Sequence, residues 1–229
     1  MFKVYLFIVI CGAFALGTAL AYTNNRKYIA PACKLAASLS FMVLAMMAIY
    51  MSNNFNSYGV FLLCALGCGF LGDIMLMVKE FFHDEKSSGF FLSLGVIFFS
   101  FGHILYIIRF VILTPSFNFW LLLLALLLPL SLFAAKGLKL IKFNRYTPLM
   151  FVYSAILSVT AVVTLNLLIT NPNTFSEMVF SASLLFVISD SVLCIHYFGD
   201  EKYHRSTNYF IMIFYYAAQI LYALSIAFV

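Results

Sequence analysis

Apolar residues fill the chain in eight long runs, roughly 3–22, 31–51, 58–78, 88–113, 117–135, 148–169, 175–197 and 207–229. Each is close to the roughly 20 helical residues that cross a bilayer core of about 30 Å. No run alternates apolar with polar positions as a barrel strand does. An open sheet edge cannot face lipid. The pattern therefore predicts an all-α polytopic membrane protein: a bundle of about eight transmembrane helices forming one integral-membrane domain over 1–229. The breaks are short and polar: TNNRKY, SNNFNS, KEFFHDEKSS, TPS, KGLKLIKFNR, TNPNTF and GDEKYHRST. Pro115, Pro148 and Pro172 fall at run ends, where proline is easily placed. Pro129 falls inside the fifth run and is expected to kink it.

Composition supports this reading. Of 229 residues, 65% are hydrophobic and only 9% charged, which suits a chain whose solvent is lipid over most of its area. The net charge of +5 is spread over loops and is not a nucleic-acid signal. Arg26, Lys27, Lys34, Lys79, Lys86, Lys136, Lys139, Lys142, Arg145, Lys202 and Arg205 all fall at the breaks after runs one, three, five and seven. The other side has only Lys3 and Arg109. Cytoplasmic loops carry the excess of Lys and Arg, so those four breaks are expected in the cytoplasm and both termini outside. The compact loops fit a bacterial inner membrane, and an internal eukaryotic membrane stays open. Lys3, an apolar stretch and Ala19-Leu20-Ala21 imitate a cleaved signal peptide, although the apolar stretch is longer than a usual signal core. The five cysteines form no CxxC pair and read as small packing residues.

Chemistry enters with the acids. Of eight Asp and Glu residues, Glu80, Asp84, Glu85, Asp200 and Glu201 are assigned to cytoplasmic loops and Glu177 to an outer helix end. Only Asp73, in FLGDIMLM, and Asp190, in LLFVISDSVL, lie inside runs. An acid at the centre of a membrane helix costs about 2.5–3.5 kcal/mol on insertion scales and usually faces the bundle or a wet cavity. Asp73 precedes Lys79, and Asp190 precedes His196, by about 9 Å of helix each. Both are therefore expected at similar depth. If their helices are neighbours, the result is a paired-carboxylate site. Two close carboxylates cannot easily both ionise, so one acid would hold a proton while the other stayed charged. Such a pair can donate a proton, activate water or steady a developing cation. The alternative is two buried acids, each bonded only to a neighbouring helix.

Other polar groups lie at helical depth. His103 and Tyr106 are three apart, hence neighbours on one face, and Gly102 would allow close helix approach. Each reads either as a hydrogen-bonding residue between helices or as a substrate contact. In YYAAQILY, Tyr215, Gln219 and Tyr222 share a face that would line a polar cavity or bond to a neighbouring helix, with Tyr215 and Gln219 as candidate substrate contacts, and Tyr216 points elsewhere. Lys34 reads as a snorkelling anchor or a contact for a lipid phosphate. Tyr153 sits at a depth like that of Asp73 and reads either as an interfacial tyrosine, which is common there, or as a substrate contact. Asn166 receives no role. The four histidines, His83, His103, His196 and His204, form neither HxxxH nor HExxH. An Asp73, His103 and His196 metal set lacks a spacing signature, so no metal is assigned. Neither a GxSxG-type element nor a glycine-rich phosphate loop is present.

Taken in order, GDIMLM, GHILYI, SLLFVISD and YYAAQILY resemble the landmarks of the YhhN family of eight-span membrane proteins, whose characterised members are lysoplasmalogenases. The likeness runs from Lys34 to Tyr222. It implies hydrolysis of the vinyl ether bond of lysoplasmalogen to a fatty aldehyde and glycerophosphoethanolamine or glycerophosphocholine. It also implies that the two intramembrane aspartates match Asp73 and Asp190. The GH…Y element matches Gly102, His103 and Tyr106, the helix-eight pair matches Tyr215 or Tyr216 and Gln219, and the helix-two lysine matches Lys34. The chain departs where Leu35 replaces a common proline, and where Ser181 or Ser183 stands near a common glycine.

This chemistry suits two acids. A vinyl ether opens when its terminal alkene carbon is protonated, and the oxocarbenium ion so formed takes up water. Glycosidases place two carboxylates around such an ion for a related reason. No metal or organic cofactor is required, and the expected partners are a single-chain lysophospholipid and the bilayer. Three other readings compete. A proton-coupled transporter of a small solute or lipid would use the same acids as a relay, but no inverted repeat is visible. An aspartyl-type intramembrane protease lacks its YD and GxGD elements here. An intramembrane zinc hydrolase would lose activity with chelators.

Overall fold

A computed structural model describes residues 2–24, 26, 28–53, 55, 57–199 and 204–229, with side chains described except at 2–4, 57 and 204–206. Lys27, Asp200, Glu201 and Lys202, counted above among the loop charges, lie outside the described residues.

The described residues form α1 (Phe2–Thr23), α2 (Ile29–Ser52), α3 (Ser57–Lys79), α4 (Glu85–Leu113), α5 (Leu127–Gly137), α6 (Thr147–Thr170), α7 (Thr174–Phe198) and α8 (His204–Ser225). With α5 lengthened by the turn before it, eight segments are long and apolar enough to cross a membrane.

Local chemistry sets several boundaries. The Asp84 side chain accepts the Ser87 backbone N–H at 2.7 Å and starts α4. Asn173 and Ser176 cap α7 reciprocally. Pro148 lies in the first turn of α6, where its missing N–H costs nothing. In the fifth segment the helix type changes close to Pro129. Phe119–Leu126 is a 3-10 helix, and the α-helix begins only at Leu127. Pro129 therefore sits in the first turn of α5. Proline has no N–H to give an i→i−4 bond, so the α-ladder starts around it rather than running through it.

The broadest seam joins α3 to α4, and α1–α2 and α7–α8 also pack extensively. Glycine makes the α3–α4 seam. A Cβ on Gly102 would lie 2.9 Å from the Ala65 carbonyl oxygen, and one on Gly95 would lie 3.4 Å from that of Gly72. A larger residue would hold these backbones apart. The α5 helix is peripheral, packing on α6. Asn166, given no role above, ties the α4–α5 connection to α6. It accepts from Asn118 N at 3.0 Å and donates to Ser116 O at 2.8 Å.

The ends of α1, α3 and α7 meet the starts of α2, α4 and α8 at one end of the bundle, called here the Lys79 end. Tyr22 at the end of α1 reaches Glu80 just after α3, and Lys142 N donates to Phe198 O at the end of α7.

Candidate functional site

Asp73 lies on α3 about 9 Å of helix inside the Lys79 end and is only 4% exposed. A carboxylate at such a position needs donors, and three helices supply them. Lys34 and Ser38 are one turn apart on α2 and so share a face. Lys34 Nζ is 3.3 Å from Asp73 Oδ1. Ser38 Oγ donates to Asp73 Oδ2 at 2.7 Å, and the Tyr215 hydroxyl on α8 donates to the same oxygen at 2.7 Å. Tyr215 gives its proton to Asp73, so its oxygen must accept, and Gln219 Nε2 donates to it at 2.9 Å. Tyr216 points to α2 rather than to Asp73. Its hydroxyl donates to the Lys34 carbonyl at 3.1 Å and lies 3.1 Å from Ser38 Oγ.

Asp190, on α7, is half-buried. It accepts a hydrogen bond from the Tyr153 hydroxyl of α6. Tyr153, considered above as an interfacial residue, is thus turned inward. Both acids line one chamber of about 300 Å³, together with Lys34, Tyr215 and Ser189. They do not hydrogen-bond each other, and each has its own donors. At the Lys79 end the chamber is rimmed by Tyr22, Lys79, Glu80, His196 and Tyr197. Tyr22 donates to Glu80 Oε1 at 2.5 Å, and Lys79 Nζ sits 3.8 Å above the Tyr197 ring. His196 Nδ1 is 2.8 Å from Thr207 Oγ1. Glu80 was expected to be a plain loop acid, and the structure places it at the mouth of the chamber. The protein packed around it raises its carboxyl above the usual glutamate value, while the Tyr22 hydroxyl, Lys34 and Lys79 pull it down.

Asp190 also faces a second space. A slot of about 60 Å³, lined mainly by Leu76, Leu92, Val96, Leu128, Leu132 and Leu157, runs between α3, α4, α5, α6 and α7. Tyr153, Asp190, Phe99, Leu193 and Tyr197 border it as well. Asp190 therefore stands between a polar chamber and an apolar slot.

His103 and Tyr106 lie elsewhere. With Gln219 and Gly102 they line a separate cavity of about 10 Å³ behind Phe99. His103 Nε2, Tyr106 Oη and Gln219 Oε1 are buried without a protein partner. Thr160 gives its proton to Ile156 O, so it accepts from His103 Nδ1 at 3.3 Å and leaves Nε2 as an acceptor. Two acceptors and one hydroxyl donor are what a single water satisfies, and the volume is about that of one water. Tyr222, on the predicted stripe with Tyr215, instead lies 2.7 Å from Ser183 Oγ and stacks on Tyr106. Among the described residues no three of His, Cys, Asp and Glu gather as a metal-binding group, so the Asp73, His103 and His196 set is not assembled.

Comparison with known proteins adds one finding. The model of the YhhN family matches residues 29–226. The chain belongs to the YhhN family. That match covers α2 to α8 and hence every residue of the chamber except Tyr22 on α1. No curated protein and no solved structure matches the chain.

Several residues of the site escaped the sequence. Ser38 carried a usable signal, one turn from Lys34 on the same face. Tyr22, Lys79, Glu80 and Tyr197 carried none, since each is an ordinary residue for a helix end and only the meeting of α1, α3 and α7 makes them a rim.

Proposed function

We propose that this YhhN-family protein hydrolyses the vinyl ether bond of a lysoplasmalogen within the membrane, releasing a fatty aldehyde and a glycerophospho-alcohol. The observation that carries the reading is the position of Asp190. It borders the polar chamber on one side and the apolar slot on the other. A vinyl ether is the junction between a polar glycerol and an apolar chain, so the bond would come to rest against this acid. The slot is small and would hold only the chain next to the reacting bond, leaving the remainder to the bilayer.

The two acids take different roles. Asp73 has a lysine and two hydroxyl donors and suits the charged form. Asp190 has the Tyr153 hydroxyl and, among the described residues, no cation at ion-pair distance, so it is the proton donor. Asp190 delivers its proton to the alkene carbon that is not bonded to oxygen, and an oxocarbenium ion forms. Asp73, across the chamber, stabilises that cation and takes a proton as water adds to the carbon bearing oxygen. The hemiacetal then collapses. Asp73 returns its proton to the leaving alcohol oxygen, and Asp190 removes the hemiacetal hydroxyl proton. Substrate and one water give aldehyde and alcohol, and both acids regain their starting forms.

The test is product analysis by mass spectrometry on purified protein. Wild type, Asp73→Asn and Asp190→Asn would each be given a lysoplasmalogen and its saturated alkyl-ether analogue. Aldehyde is expected from the vinyl ether alone and only with wild type. Substantial turnover by either folded variant would overturn the mechanism, and no aldehyde from folded wild type would overturn the reaction.

A further inference from the structure

A separate groove of about 300 Å³ opens at the Lys79 end, between the starts of α4 and α6. Lys86, Gly89, Phe90 and Ser93 line it on α4, and Arg145 and Leu149 face them. None of these residues lines the chamber or the slot. Arg145 is held in position. Its Nη2 donates to the Glu85 carbonyl at 2.9 Å and to the Tyr146 hydroxyl at 2.7 Å. Both bonds use one nitrogen, and Nε and Nη1 have no hydrogen-bond partner among the described residues. Gly89 makes room for this arrangement. A Cβ there would overlap the Tyr146 hydroxyl and lie 2.5 Å from Arg145 Nη2. Lys86 is exposed, and among the described residues neither cation forms an ion pair. The acids next in sequence do not fill the groove with charge of their own. Asp84 is occupied by the Ser87 N–H, and Glu85 acts on Arg145 only from beyond ion-pair distance.

From this geometry we infer that the groove binds an anionic glycerophospholipid of the surrounding bilayer, with its phosphodiester between Lys86 and Arg145 and one acyl chain over Phe90 and Leu149. The wall changes character in the order such a lipid does. It passes from two cations through a bare glycine to apolar side chains, while α4 advances about 10 Å from Lys86 to Ser93. The free edge of a guanidinium suits a phosphate oxygen, and a basic pocket between membrane helices suits an anionic headgroup. A zwitterionic headgroup would bring a third cation to the two already there. This lipid is a bound companion and does not reach the acids. It joins α4 to α6, two of the helices that wall the slot.

Native mass spectrometry of purified protein in a neutral detergent tests this without turnover. Dioleoyl phosphatidylglycerol, dioleoyl phosphatidylcholine and inorganic phosphate would each be titrated. Wild type is expected to hold one phosphatidylglycerol about tenfold more tightly than phosphatidylcholine, the scale of two partly solvated ion pairs. Lys86→Met and Arg145→Met are each expected to lower that preference about threefold, and the double variant to abolish it. Gly89→Ala keeps both cations but displaces Arg145, so it is expected to act like Arg145→Met. Lys139→Met removes an exposed cation outside the groove and is expected to change nothing. Unfolding temperatures would show which variants are folded. Should Arg145→Met misfold, Lys86→Met decides, since Lys86 is exposed and in no ion pair among the described residues. No preference in wild type, or a folded double variant that keeps it, overturns the site. An equal loss in Lys139→Met also overturns it, because diffuse surface charge would then be the cause. Displacement of the lipid by inorganic phosphate would overturn the lipid as occupant.

Discussion

Lys34 Nζ lies 3.3 Å from Asp73 Oδ1, and both side chains are more than nine-tenths buried. The pair joins α2 to α3 inside the bundle. Removing one member leaves the other as a buried uncompensated charge, at a cost of about 3–5 kcal/mol. Lys34→Met is expected to lower stability by about that amount. Lys34→Met with Asp73→Asn is expected to recover most of it, since no lone charge remains. A double-mutant cycle on unfolding in detergent measures the coupling. Additive losses would mean that the pair does not hold the helices.

The Tyr153 hydroxyl is the hydrogen-bond donor to Asp190. Tyr153→Phe keeps the ring and removes that bond. Turnover is expected to fall by about 10²-fold, the scale of a misplaced general acid, with little change in substrate binding. Steady-state kinetics separate kcat from KM. A change in KM alone would reassign Tyr153 to substrate binding.

The cavity bounded by His103, Tyr106 and Gln219 is expected to hold one ordered water. It would donate to His103 Nε2 and Gln219 Oε1 and accept from Tyr106. An experimental map that shows waters checks this, and a dry cavity would refute it. The water would hold Gln219 in the orientation that donates to Tyr215, and Tyr215 in turn donates to Asp73.

Gly102→Ala is expected to destabilise the protein by about 1–3 kcal/mol, because the new methyl would press on the backbone of α3 rather than on a movable side chain. Thermal unfolding reads this directly. Gly137 is a matched control, since a Cβ there meets nothing within 4 Å.

The membrane class and the number of spans were legible in the chain, because lipid as solvent acts on composition and length, which are sequence quantities. Asp73 and Asp190 were legible for the same reason, since an acid within an apolar run stands out by its cost. Neighbours were not legible. Both Tyr215 and Tyr216 serve the Asp73 network, although helical spacing separates them, because Tyr215 reaches Asp73 on α3 while Tyr216 reaches Ser38 and the Lys34 carbonyl on α2. Tyr153 turns to Asp190, while His103 and Tyr106 close a different cavity. Glu80 becomes part of the rim only where α1 and α7 reach the end of α3. In a membrane the outward face of a helix is as apolar as its packed face, so hydrophobic pattern does not mark which side meets which neighbour. Close packing at glycine and hydrogen bonds between buried polar groups make that choice, and both exist only once the helices are assembled.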